Sequence, residues 1–335
     1  MKKICLINVY FGKWPRWMNI FFKACGYNPT INWLIYTDCD TPKNHPNNVK
    51  FIKGNLEGFN RLATKKLKIK SKIINVYKIC DFKPTFGVIF SDYLKNYDYW
   101  GYSDIDLIYG NIRNILDKNS FEEYDVISSL KHYTTGHFTL YKNNKKNNNL
   151  FRKCFNYKEV LQSDKTYGFD ESNQVKTKIQ IIPHRIILKN KPDCMAHLVI
   201  KLKIKKKLKI LLKKMIEEDN DIKPKVVNKK FNILWKNGDL INKKNNEKLL
   251  YFHFIISKSR PYFYITPWKE VPEEFCISNI GIYKNKKSIL FKIFLIRSYY
   301  LPFIITDRLV GKIGIEIKKI SPKTYLSLKK IKDRF

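Results

Sequence analysis

An aromatic run near residue 100 breaks off at two carboxylates, and this junction constrains the chain more than any other feature. The stretch Tyr97 to Ile112, YDYWGYSDIDLIYGNI, carries Tyr97, Tyr99 and Trp100 ahead of Gly101, then Asp104-Ile105-Asp106, then Leu107, Ile108 and Tyr109. The apolar run predicts a buried strand, with the polar pair where the strand runs out. Alternate residues of a strand point to one side, so Asp104 and Asp106 are expected to aim four oxygens at one point while Ile105 is anchored in the core. Two hard anionic ligands suit Mg²⁺ or Mn²⁺ with positions left over for phosphate oxygens. A solvated turn is the alternative reading, and core residues packed tightly on both sides argue against it.

In this setting the pair resembles the D-x-D signature of glycosyltransferases with the GT-A fold, particularly bacterial sugar transferases encoded with capsule and lipopolysaccharide genes. The resemblance covers roughly Met1 to Trp268 and is strongest from Cys80 to Asn111. It implies a Rossmann-type α/β fold with a mostly parallel sheet and helices on both faces. It also implies that the pair, with Mn²⁺ or Mg²⁺ as cofactor, grips the diphosphate of a nucleotide sugar.

Composition sets the bounds. With 335 residues, 44% hydrophobic and 15% aromatic, the chain can build one large or two modest cores. Seven scattered cysteines without a C-x-x-C pair signal neither a disulfide framework nor a zinc site, and a reducing cytosol fits them. The start, MKKICLINVYFG, reads as a first strand, because its apolar run is too short for a signal segment. The formal net charge of +36 points to anionic partners. Abundant Lys, Asn and Ile match an AT-rich coding bias, so part of that charge is a solvated surface, and no nucleic acid partner is expected. The remainder favours a diphosphate donor, a lipid-linked glycan acceptor and the anionic inner face of a plasma membrane.

Residues 4 to 10 predict a buried strand, Trp17, Ile20, Phe21 and Cys25 a helix ended by Gly26, and Trp33 to Tyr36 and Val49 to Ile52 two further strands. This β-α-β opening argues for a mostly parallel sheet, whose ligands sit outside the carboxyl ends of its strands. Asn55 to Lys70 is expected to be helical, Tyr124 to Ser129 and His132 to Asn144 to be strands, and Lys142 to Asn149 a loop. Val199 to Met215 has an apolar stripe among eight lysines and predicts a basic amphipathic helix over 199–215, able to dock on the fold, on a membrane or on another chain. Asn237-Gly238 predicts a type I′ turn. Residues 271–335 read as a basic C-terminal appendage of short amphipathic helices. The domain reading is one unit over 1–270, with a nucleotide-sugar half to about 112 and an acceptor half from 113, followed by that appendage. No segment is long and uncharged enough to span a bilayer, Phe291 to Ile305 being interrupted by Lys292, Arg297 and Pro302.

The resemblance distributes further roles. Asp81 and Lys83 lie where related families place an acid and an arginine that contact the donor, with lysine here replacing the arginine. Gly136 and His137 are candidates to face the donor sugar, and Tyr10, Thr37 and Asp38, at strand ends, to meet the base and ribose. Asp170 and Glu171 are candidates for the general base of an inverting enzyme. His253, interrupting YFHFIISKSRPYF, is a candidate third metal ligand, with Lys258 on the diphosphate. That element is similar to the late H-x-x-G-x-K-P-W segment of glycogenin-like and lipopolysaccharide galactosyl- or glucosyltransferases, although the glycine is missing. A nitrogen ligand beside carboxylates favours Mn²⁺.

The expected activity is transfer of a sugar, from a UDP-sugar as first choice, to a glycan acceptor of the cell surface. Two rivals stand beside it: a sugar-phosphate nucleotidyltransferase, for which FGKWPRW is a poor glycine-rich loop, and a non-enzymatic basic protein that binds membrane or nucleic acid.

Overall fold

The computed structural model describes residues 1–172, 184–219, 232–259, 263–278 and 281–284, together with 294–295 and 298–299. The chain divides into two compact units. One comprises Met1–Glu217, Asn237–Leu240 and Lys248–His253, and the other Glu218–Lys236, Ile241–Glu247 and the chain from Phe254 onward.

The first unit opens as its apolar periodicity predicts. Strand β1 (Ile4–Tyr10) leads to helix α1 (Met18–Gly26), then to β2 (Ile31–Thr37) and β3 (Val49–Lys53). Helix α2 (Leu56–Leu67) starts where the Asn55 side chain accepts the Gly58 amide and stops at Lys68, whose φ of 58° turns the chain left-handed. A 3-10 stretch, Val76–Thr85, runs into α3 (Phe86–Ile89), followed by β4 (Tyr99–Ser103) and β5 (Leu107–Tyr109). Strands β6 (Val126–Ser128), β7 (Phe138–Lys142) and β8 (Ile210–Leu212) complete a seven-stranded sheet in the order β3-β2-β1-β4-β7-β6-β8. Strands β1 to β4 are mutually parallel, β7 runs against β4 and β6, and β8 is parallel to β6. This is the expected mixed α/β architecture with a mostly parallel central sheet.

Both faces are covered. Cys5, Ile7, Leu34, Tyr36, Trp100 and Tyr102 share one core with Phe59 of α2, Phe82, and Phe86 of α3. On the other face Phe21 of α1 meets Tyr109 at 5.9 Å between ring centres, Trp33 meets Tyr109 at 5.3 Å, and the Tyr99 hydroxyl donates to the Phe121 carbonyl at 2.9 Å.

Three local expectations are corrected. The basic amphipathic helix over 199–215 is two elements, a helix Met195–Ile204 and strand β8. Lys206, with φ 53°, reverses the chain between them, and Leu208 and Ile210 are buried while Lys209 donates its amide to the Asp125 carboxylate at 3.2 Å. The alternation Lys-Leu-Lys-Ile has period two, and the open edge of β6 captures it as a strand. The strand expected over His132 to Asn144 is confined to β7. In the expected loop that follows, Asn144 caps a helical turn, Lys145–Asn148, by accepting the Asn147 amide at 2.8 Å.

In the second unit the strands Asn232–Lys236 and Glu274–Ser278 pair antiparallel, with Trp235 stacked on Phe275 at 4.9 Å, and Gly281–Tyr283 extends the sheet. The beginning of the expected helical appendage is therefore β structure. Most of Phe291 to Ile305 and everything beyond it lie outside the described residues. Asn237 and Gly238, both of the first unit, have φ of 47° and 87°, as a type I′ turn requires. No helix among the described residues is long and apolar enough to cross a membrane, and all seven cysteines are free.

Candidate metal and donor site

Strand β4 ends at Ser103, whose carbonyl and hydroxyl oxygens accept the buried Asn8 amide of β1 at 2.6 and 3.0 Å. From there to β5 the chain makes a turn, so Asp104 and Asp106 are not aimed by strand alternation as expected. The turn is fixed by other means. The Asp104 amide donates to the His137 carbonyl at 3.1 Å, the Trp17 indole donates to the Ile105 carbonyl at 2.8 Å, and the Ile105 side chain is buried. The two carboxylates consequently differ in setting, the Asp104 side chain being 34% exposed and that of Asp106 5%.

The strand Tyr251–His253 pairs antiparallel with β5 in the register His253 to Leu107, which sets the imidazole beside Asp106, Nε2 to Oδ2 3.4 Å. One ligand atom from each of Asp104, Asp106 and His253 lies within 4.8 Å of the others. Ligands held at about 2.1 Å by one ion lie at most about 4.2 Å apart, so a small closure brings all three onto a single cation. Two carboxylates and one imidazole are a donor set for Mn²⁺ or a neighbouring transition ion more than for Ca²⁺. His137 backs this site: its ring lies 4.3 Å from that of His253 and 5.6 Å from that of Tyr251.

Lys83 gathers the remaining acids. Its ammonium donates to Asp104 Oδ1 at 2.6 Å and to the Gly136 carbonyl at 2.7 Å, and lies 3.8 Å from Asp170 Oδ2. Burial works against its charge, but the acidic groups around it, Asp104 foremost, hold its pKa well above the ordinary lysine range. Burial pushes the Asp170 carboxyl up to about 8, with Lys83 opposing and Glu171 adding to the rise. Glu171 accepts the Gly136 amide at 2.9 Å. A methyl group on Gly136 would stand 2.3 Å from Asp170 Oδ2, so glycine is what lets this backbone lie against the acids. Asp104, Lys83, Gly136, His137, Asp170 and Glu171 are thus brought into one cluster with Asp106 and His253.

Asp81 does not belong to it. Its carboxylate is fully buried and accepts the Lys78 ammonium at 2.8 Å and the Tyr167 and Phe169 amides at 2.9 and 2.8 Å. It anchors the loop that carries Asp170. Tyr10 and Thr37 are register partners at the carboxyl ends of β1 and β2. Thr37 is buried and its hydroxyl accepts the Cys39 amide at 3.1 Å. Tyr10 stacks on Trp14 at 5.6 Å, and the exposed Asp38 accepts the Gly12 amide at 2.8 Å. Lys258 belongs to the second unit, in the 3-10 turn Ser257–Ser259. Asn8 and Trp17 were not singled out as site residues. Asn8 carried a signal, being the one amide in the apolar run of β1, whereas Trp17 is indistinguishable in sequence from a core residue. A separate cleft of about 640 Å³ opens at the amino ends of β1 and β2, lined among others by Lys3, Asn32, Lys50 and Lys95.

No curated protein matches the sequence. Among solved structures, the galactosyltransferase LgtC in complex with donor and acceptor sugar analogues is 12% identical, with 50% of this chain and 72% of that one covered and a TM-score of 0.30. An active-site mutant of LgtC is 10% identical, with 50% and 71% covered and a TM-score of 0.32. Residues 6–286 match the family described as a family of unknown function, DUF6625, and the chain belongs to that family.

Proposed function

We propose that the protein is a metal-dependent glycosyltransferase that moves a sugar from a nucleoside-diphosphate sugar, UDP-linked as first choice, to a glycan acceptor of the cell surface. The observation that carries this reading is the convergence of Asp104, Asp106 and His253 within 4.8 Å at the carboxyl end of β4. Open α/β sheets bind their ligands at that end. A divalent cation on these three residues, Mn²⁺ before Mg²⁺, would supply positive charge against the donor's diphosphate as the glycosidic bond breaks.

The chain's own groups supply the rest. Lys83 holds Asp104 and the Gly136 carbonyl in one arrangement, which orients the turn before any donor arrives. Below about pH 8 Asp170 keeps its proton and can donate a hydrogen bond to a sugar hydroxyl, whereas service as a general base needs the ionised form. Glu171, partly exposed beside it, is the other candidate acceptor of the incoming hydroxyl's proton. Tyr10 and Asp38 offer an aromatic face and a carboxylate to the base and ribose. The net charge of +36 favours a phosphorylated, lipid-linked acceptor.

The test is hydrolysis or transfer of UDP-sugars by the purified full chain in Mn²⁺. Cleavage that disappears in Asp106→Ala, with the circular dichroism spectrum unchanged, supports transfer. Pyrophosphate release from a nucleoside triphosphate, or no turnover of either substrate class, overturns it.

A further inference from the structure

Between Glu57 and Asp81 the sequence places seven lysines and arginines and no carboxylate. The same stretch presents three large apolar side chains to solvent, Ile74 at 64% exposure, Val76 at 54% and Tyr77 at 71%. Their exposure is built in from below. Ile69 and Ile73 are buried in the core under the loop. The Ser71 amide donates to the Thr64 hydroxyl at 3.1 Å and its hydroxyl to the Asn60 side-chain oxygen at 2.8 Å. The Lys72 amide donates to the Leu161 carbonyl at 3.3 Å, and the Asn75 side chain accepts the Lys78 amide at 3.1 Å. Hydrogen bonds at Ser71 and Lys72 tie the loop to α2 and to Leu161, and Asn75 caps the turn that follows, while Ile74, Val76 and Tyr77 stay exposed.

The cations divide into two groups. Arg61 pairs with Glu57, Lys66 with Asp92, Lys72 with Asp164 and Lys78 with Asp81. Lys65, Lys68 and Lys70 are exposed and have no ion pair among the described residues. Exposed apolar side chains with unpaired, exposed lysines a few residues away in the chain match one surface chemically: hydrocarbon lying beneath a layer of phosphates. A purely apolar partner would leave the cations unmet, and a polyanion in water would leave the apolar side chains unmet.

We infer that residues 68–77 form a tip that docks the protein on an anionic lipid bilayer, with Ile74, Val76 and Tyr77 entering the headgroup region and Lys65, Lys68 and Lys70 facing lipid phosphates. The inference does not depend on the transferase reading, which only gives a reason for a bilayer to be near. It moves the membrane-facing surface away from the lysine-rich segment 199–215.

The test is co-sedimentation of the full chain with vesicles of phosphatidylcholine alone or mixed with phosphatidylglycerol, without donor or metal. Binding to the mixed vesicles is expected, weakened on the order of tenfold when Ile74, Val76 and Tyr77 are all replaced by Ser. Replacing Lys65, Lys68 and Lys70 by Gln should remove the preference for phosphatidylglycerol. In Ile74→Trp, brominated lipid should quench the introduced tryptophan beyond the wild-type background. The inference is overturned if the Ser variant sediments like wild type, or if the new tryptophan is not quenched. It is also overturned if the Ser variant changes only the oligomeric state in sedimentation velocity, which would make a second copy the occupant. Because the assay contains no sugar donor, none of these failures touches the proposed transfer.

Discussion

Lys83 is the residue on which the acidic cluster turns, because its ammonium reaches a carboxylate of the Asp104-Ile105-Asp106 turn, a carbonyl of the β7 approach and the buried Asp170. Removing one partner from a buried ion pair leaves an uncompensated charge, so Lys83→Met should cost about 3–5 kcal/mol in urea denaturation. Part of that cost should vanish in the Asp104→Asn background, since the orphaned carboxylate is then gone; equal costs in both backgrounds would contradict the pairing. Asp170 itself makes a prediction with a definite sign. Its folded pKa, about 8, lies above the ordinary carboxylate value of 3.8, so the native state binds a proton that the unfolded chain has lost. This carboxyl therefore subtracts stability as pH rises from about 4 to 8. The melting temperature should fall across that window more steeply in wild type than in Asp170→Asn, and parallel curves would refute the assignment. Asp104, Asp106 and His253 were legible because carboxylates flanked by core residues, and a histidine interrupting an apolar strand, are unusual enough to be noticed. The partners of Asp81 were not legible because a motif position says nothing of them, although Lys78, three residues upstream, is where a 3-10 turn brings side chains into line.

At the level of elements, period decided what could be read. Strands β1, β2 and β3 and helices α1 and α2 declared themselves through unbroken or strongly periodic apolar runs, and the β-α-β order then implied the parallel sheet. The segment 199–215 fits both a helical stripe and a short alternation, and the open edge of β6 settled the matter, a tertiary contact that no local pattern contains. The D-x-D turn shows the same dependence, because the Trp17 indole and the His137 carbonyl that fix it come from elements distant in sequence. Two glycines test how tightly these elements are set. A methyl on Gly101 would stand 2.5 Å from the Thr139 carbonyl of the neighbouring strand, a backbone that cannot yield without disturbing the sheet. Gly101→Ala should lose about 1–3 kcal/mol by chemical denaturation. At Gly136 the obstacles are the Asp170 carboxylate and the Glu171 side chain, so Gly136→Ala should displace the acids and raise the Michaelis constant for donor with less loss of stability. Equal losses of stability in the two variants would show that the acids are as immovable as the sheet.

On the scale of the whole molecule, the division into two units gives the metal reading a test that does not depend on knowing the substrate. The three candidate ligand residues, and the Asp104, Gly136 and Asp170 groups around Lys83, belong to the unit built on the seven-stranded sheet. A cation that binds the native arrangement and not the unfolded chain adds stability by mass action, about 2.7 kcal/mol at a hundredfold excess over Kd. Mn²⁺ should therefore raise the melting temperature of wild type in a concentration-dependent way, and a chelator should reverse it. Asp106→Asn and His253→Ala should each abolish most of the rise, whereas Asp38→Asn, at the ends of other strands, should leave it intact. Exposed carboxylates and the chain's large positive charge cannot mimic this pattern. Weak association of a divalent ion with surface acids would be insensitive to His253, and the net field of a chain at +36 repels cations. A rise that survives both substitutions, or no rise at all, would remove the cation from the site and the diphosphate with it.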